Sequence, residues 1–147
     1  MFQLAPFDGV PMSVYLIGIA LALFVWLFAR IVGLDRDRAF YPTVLVVVAT
    51  YYDLFAVMGG STEALLAELA GTAVFVAFVV VGFRRNLWFV VAGLAGHGVF
   101  DLVHPALVDN PGVPAWWPSF CMAYDVAAAA GLAWLLHRRL LPASEPG

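Results

Sequence analysis

"GHGVFDLVHP", residues 96 to 105, resembles a membrane helix that carries polar groups. Its background is apolar enough for the inside of a bilayer, yet it carries His97, Asp101 and His104. Spaced i, i+4 and i+7, the three side chains fall within about 60° of arc on one helical face. An apolar helix with one polar stripe is the unit from which the rest is read.

The whole chain shares that background. Its 147 residues are 64% apolar or aromatic and only 12% charged, with a mean hydropathy of +0.95. Soluble domains carry about 25% charged residues, and a chain this short leaves much of its surface exposed on folding. Lipid has to cover that surface. The sequence therefore reads as one integral membrane domain over residues 1–147, multi-pass in a cell membrane. The formal charge of −3 comes with no basic patch, which excludes nucleic acid as a partner. A single cysteine, Cys121, excludes an internal disulfide. Every cation is an arginine, a composition that suits a GC-rich bacterial genome and hence a bacterial inner membrane.

Five segments approach the roughly 20 apolar residues that a bilayer core requires. They run from about 12 to 32, 41 to 58, 62 to 83, 87 to 104 and 117 to 137. Pro42 suits the first turn of the second, where its missing N–H costs nothing. The expected fold is an all-α bundle of five transmembrane helices. Arg30, Arg36, Arg38, Arg84, Arg85, Arg138 and Arg139 all flank the same side of these spans, so the N-terminus is predicted outside and the C-terminus in the cytoplasm. Trp26, Trp88 and Trp134 then belong to the inner interface, and Trp116 and Trp117 to the outer one. "MFQLAPFDGVP" (1–11) lacks the positive start of a signal peptide and reads as a short external tail; "LPASEPG" (141–147) reads as a disordered end. "PALVDNPGVPAWWP" (105–118), with four prolines, is expected to cap the outer face.

Apart from His137 at the very end of the last span, seven acids and histidines fall inside the spans: Asp53, Glu63, Glu68, His97, Asp101, His104 and Asp125. Glu63 sits in a first turn, where a helix dipole favours an acid, and reads as interfacial. The other six lie in the outer half of the bilayer, although a charge at the bilayer centre costs about 2.5–3.5 kcal/mol. Structural polar residues would not segregate by depth over four helices. A hydrated cavity open to the outside is the expectation. "YYDLF", "VFDLV" and "AYDVA" also repeat an aspartate between an aromatic and an aliphatic residue, a likeness read as similar packing around acids.

His97, Asp101, His104 and Asp125 form the candidate metal site, because Cys121 and Asp125 add C-x3-D on the last span to H-x3-D-x2-H on the fourth. Imidazole and carboxylate suit zinc or iron, and such an ion would make bound water a nucleophile near neutrality. Asp53, Glu68, Asp101 and Asp125 are the candidate catalytic carboxylates, acting as bases or orienting a histidine. Pro105 disfavours helical geometry at His104, which directs that imidazole toward the loop. Three other readings stand beside the metal site. One is metal-free acid–base chemistry on a lipid by the same acids and histidines. Another is a structural network in which His97 and His104 bond to Asp125 and Asp53. The third is an ion- or proton-binding or assembly subunit of a larger complex. Cys121 by itself reads as inert packing, and "AGLAGHG" (92–98) and "AAAAG" (127–131) read as close helix contacts, within the bundle or in a homo-oligomer.

The stretch "HGVFDLVHPALVDNPGVPAWWPSFCMAYD" (97–125) resembles an uncharacterised domain-of-unknown-function class of small polytopic bacterial membrane proteins, with a His/Asp/His helix, a proline-rich loop and a Cys/Asp helix. That class brings no activity with it. The functional expectation therefore rests on the residues: a small membrane enzyme acting on a lipid or lipid-like substrate, with the bilayer as its partner.

Overall fold

The computed structural model describes residues 9–141 and holds five long helices. They are α1 (Met12–Val32), α2 (Phe40–Met58), α3 (Thr62–Arg84), α4 (Trp88–Leu107) and α5 (Trp117–His137), with one 3-10 turn at Leu34–Arg36. All five are long and apolar enough to cross a membrane. Apart from residues 9–11 and Leu141, the tail and the end discussed above lie outside the described residues.

Most helix ends fall within one residue of the sequence reading, and the local chemistry shows why. Gly33 closes α1 at φ 87°, a left-handed conformation that suits glycine, and its N–H reaches the Ala29 carbonyl. The Ser61 side chain accepts from the Ala64 N–H and starts α3. Arg38 donates to the Gly82 and Phe83 carbonyls near the end of α3, supplying partners that a helix end otherwise lacks. Glu63, in the first turn of α3, is exposed as expected.

The end of α4 differs. It was expected at His104, but the helix continues through Pro105 to Leu107. Proline removes its own N–H, which here would have donated to the Asp101 carbonyl, and its ring crowds that carbonyl, yet the Val108 N–H still closes the last turn on the His104 carbonyl. One lost bond so near the end does not break the helix.

In the bundle α5 lies between α1 and α4, and α3 between α2 and α4, while α2 also touches α4. No direct packing joins α1 to α2, so the bundle is open along that side. The two ends of the molecule are chemically different. Toward the arginine-bearing connections the core is mainly apolar, with Leu45, Val90, Leu94, Leu132 and Leu135 fully buried, and the buried Asp35 there is paired with Arg30 at 2.7 Å. Toward the other end, closed by the 108–116 loop and called the cap end below, the buried side chains include Glu68, His97, Asp101, His104, Asn110 and Asp125. Two glycines let backbones meet there. A Cβ on Gly98 would press on Val126 of α5, so glycine eases the approach of α4 to α5; a Cβ on Gly112 would strike the Phe55 carbonyl, so glycine seats the loop on the end of α2.

Candidate functional site

The polar residues of the cap end form two layers. The layer nearer the loop contains His104 from α4, Glu68 from α3 and Asn110 from the loop. His104 Nε2 lies 2.7 Å from Glu68 Oε1, and Asn110 Nδ2 donates to the same oxygen at 2.8 Å and to the Tyr52 carbonyl at 3.1 Å. This corrects two expectations. His104 stays helical and points into the bundle, because the helix survives Pro105; its partner is Glu68 and not Asp53, because α3 presents Glu68 to the same face of α4. Asp53 stands apart, half-buried, with Oδ2 accepting from Thr72 Oγ1 at 2.9 Å.

The deeper layer contains His97 and Asp101 from α4 and Cys121 and Asp125 from α5. One donor atom from each lies within 4.8 Å of all the others. His97 Nδ1 is 2.6 Å from Asp125 Oδ2 and 3.6 Å from Asp101 Oδ2. Cys121 Sγ donates to Asp125 Oδ2 at 3.7 Å. The two i, i+4 pairs read from the sequence thus face each other across the α4–α5 contact that Gly98 permits. Tyr52 joins the layers: its ring stacks on His104 with centroids 3.9 Å apart, and its hydroxyl donates to Asp101 Oδ1 at 2.6 Å. The His97 ring packs against Phe75 and Phe100.

The layers differ in how completely their polar atoms are used. His97 Nε2, Asp101 Oδ2 and Asp125 Oδ1 are buried without a hydrogen-bond partner, whereas no buried side-chain atom of His104, Glu68 or Asn110 is. Magnitudes make the deeper layer costly as pure structure. Two aspartates cost about 5–7 kcal/mol on the insertion scale. Hydrogen bonds between membrane helices return about 0.6 kcal/mol each, so those from Tyr52 and His97 repay roughly 1 kcal/mol of that sum. A cation would balance the two carboxylates and use the spare oxygens.

The donor set meets part of a geometric test for such an ion. Nitrogen, sulfur and carboxylate oxygen are the usual ligands of zinc, and bonds of 2.0–2.3 Å in a tetrahedron put ligand atoms about 3.3–3.8 Å apart. The His97–Asp101 and Cys121–Asp125 separations, 3.6 and 3.7 Å, fall in that range. The His97–Asp125 contact at 2.6 Å is a hydrogen bond and would have to open by about 1 Å. The four side chains could hold one metal ion. His104, counted among the expected ligands, is outside this group, and Cys121, noted in the C-x3-D pair but not named as a ligand, is inside it.

The hydrated cavity expected from the sequence is present only in part. A cavity of about 360 Å³ at the cap end is lined by His104, Asp109, Asn110, Val113, Pro114 and neighbours. It stops at the first layer, and His97, Asp101 and Asp125 below it are fully buried. The seal is Asn110, which fills the gap between α2 and α3. Sequence reasoning missed this residue, because nothing local marks an asparagine in a proline-rich loop as turning inward.

A second opening lies on the side of the bundle. It is an apolar groove of about 380 Å³ between α1 and α2, with α5 as its floor, and Cys121 is among its lining residues. The two openings have different chemistry, and one of the four candidate ligands touches the apolar one.

Compared with known proteins, the chain matches no family model, no curated protein and no solved structure.

Proposed function

We propose that this chain is a small multi-pass membrane enzyme that acts on a lipid or lipid-like substrate at a metal centre formed by His97, Asp101, Cys121 and Asp125. The observation that carries the reading is the meeting of these four donors, fully enclosed, with two carboxylate oxygens left without partners. The metal would supply a Lewis acid or an activated water. Around it the chain's own groups have distinct tasks. Tyr52 holds Asp101 in place through its hydroxyl, a positioning role common beside metal ligands. Before a metal binds, Asp125 holds the His97 ring through their 2.6 Å hydrogen bond. The first layer, His104, Glu68 and Asn110, separates the centre from bulk water at the cap end.

In this reading the cap end faces outside and the arginines face the cytoplasm, as the charge bias favours, in a bacterial inner membrane. Asp53 has no part in the chemistry, and Glu68 acts through His104. The test is to incubate the purified protein, loaded with zinc or with iron(II), with a total bacterial lipid extract and to follow the lipids by mass spectrometry. Conversion of at least one lipid species by the wild type and not by Asp101→Asn is expected. Identical lipid profiles for the two proteins, in samples whose metal content is verified, would remove the enzyme reading.

A further inference from the structure

Two openings approach the four-donor cluster: the cap-end cavity stops at His104 and Asn110, whereas the lateral groove touches the cluster itself at Cys121. The groove between α1 and α2 is walled by Val25 of α1 and by Val44 and Val47 of α2, with Cys121 and Tyr124 of α5 along its floor. It follows the long axis of the bundle from Phe40, at the arginine end of α2, to Tyr51 and Trp117 near the cap end. Every one of these residues belongs to a helix apolar enough to span a membrane, so the groove opens toward lipid tails.

Resting on the enzyme reading above, we infer that this groove seats one hydrocarbon chain of a bilayer lipid and brings the bond at its head beside Cys121. Size decides against a protein helix. A single turn of α-helix about 10 Å across and 5.4 Å long fills roughly 400 Å³, and the whole groove, extending over three turns of α2, offers about 380 Å³. A flexible hydrocarbon chain is narrow enough to lie along it. Volumes of 300–1,000 Å³ are also those of ordinary ligand pockets.

Continuity with the centre is the second argument. The groove touches the four-donor cluster at Cys121, and the Cys121 thiol is bonded to Asp125. Depth is the third. Cys121 lies one turn, about 6 Å, below Trp117 along α5, and tryptophan marks the headgroup level of a bilayer. A lipid anchored at that interface would have the linkage between headgroup and chain near Cys121, and its tail would run toward Phe40. The substrate class is thus a lipid with at least one long chain and a reactive linkage at its head. It enters sideways from the bilayer leaflet at the cap end.

The experiment is photocrosslinking in nanodiscs made with a phosphatidylethanolamine that carries a diazirine midway along one acyl chain, with sites mapped by peptide mass spectrometry. Labels should concentrate on the α1, α2 and α5 segments around Val25, Val44, Val47 and Tyr124. Val44→Trp, which fills the groove, should cut labelling there about tenfold, equivalent to roughly 1.4 kcal/mol of binding. Thr43→Trp, placed at the exposed rim, repeats the test where Val44→Trp does not fold, and Leu66→Trp on the exposed face of α3 should change nothing. Labels spread over the outward faces of all five helices, or labelling that survives both fillings, would overturn the inference. Metal content is measured on the same samples. Concentrated labelling in metal-free protein would sink the metal centre and leave the groove standing; a loaded centre with scattered labels would do the opposite.

Discussion

His97 and His104 stand two turns apart on one face of α4, both buried and both beside a carboxylate, yet they belong to different kinds of structure. His104 is closed in: Glu68 holds its Nε2, Asn110 bonds the same carboxylate, and the Tyr52 ring covers its face. His97 sits in a set of donors left incomplete, with its own Nε2 and an oxygen of each neighbouring aspartate lacking partners. A satisfied buried network serves to fix structure. An unsatisfied one costs free energy and persists where it does something else. Trp26 Nε1, the Tyr41 hydroxyl, Asp53 Oδ1 and Trp117 Nε1 are also buried without a partner, but each stands alone; what distinguishes the His97 layer is that three such atoms accompany a close group of four donors.

Substitutions can break this contrast. The largest loss of stability is expected in the closed layer. Glu68→Ala leaves His104 and Asn110 buried without their shared acceptor and should cost about 3–5 kcal/mol, read as a lowered unfolding midpoint in detergent. Gly112→Ala comes next, at about 1–3 kcal/mol, because its Cβ forces the cap off the Phe55 carbonyl; the same melt measures it. The open layer should behave in the opposite way. Asp101→Asn combined with Asp125→Asn removes two charges that lack full compensation, so the metal-free protein should stay within about 1 kcal/mol of the wild type while losing all metal. Tyr52→Phe sharpens the comparison most finely. It removes one hydrogen bond worth about 0.6 kcal/mol to the fold but should weaken metal binding by about 10–100-fold, measured by competition with a chelator.

Much of this arrangement was legible in the sequence. The five helices and most of their ends follow from apolar length and from local signals such as Gly33 and Ser61. The pairs His97/Asp101 and Cys121/Asp125 follow from helical spacing, which sets the face a residue occupies. What spacing cannot give is which faces meet. His104 was assigned to the wrong neighbours because its partner, Glu68, lies 36 residues earlier in the chain, and because Pro105 reads as a stop unless its distance from the helix end is known. Cys121 taken alone read as packing, and its C-x3-D pair with Asp125 becomes part of a four-donor group only once α5 has been set against α4. Asn110 and the cap it anchors depend on Gly112 finding the Phe55 carbonyl, a contact between a loop and a helix end that no periodicity encodes.

The central claim is that the deeper layer holds a metal and the upper layer does not. Elemental mass spectrometry on the detergent-purified protein tests it most directly, after reloading with zinc or iron(II), beside His97→Ala, Asp101→Asn and His104→Gln. Near-stoichiometric metal in the wild type and in His104→Gln, lost in both deeper-layer variants, is the predicted result. A folded wild-type protein that stays metal-free after reloading, or one whose metal vanishes with His104→Gln and survives Asp101→Asn, would contradict it.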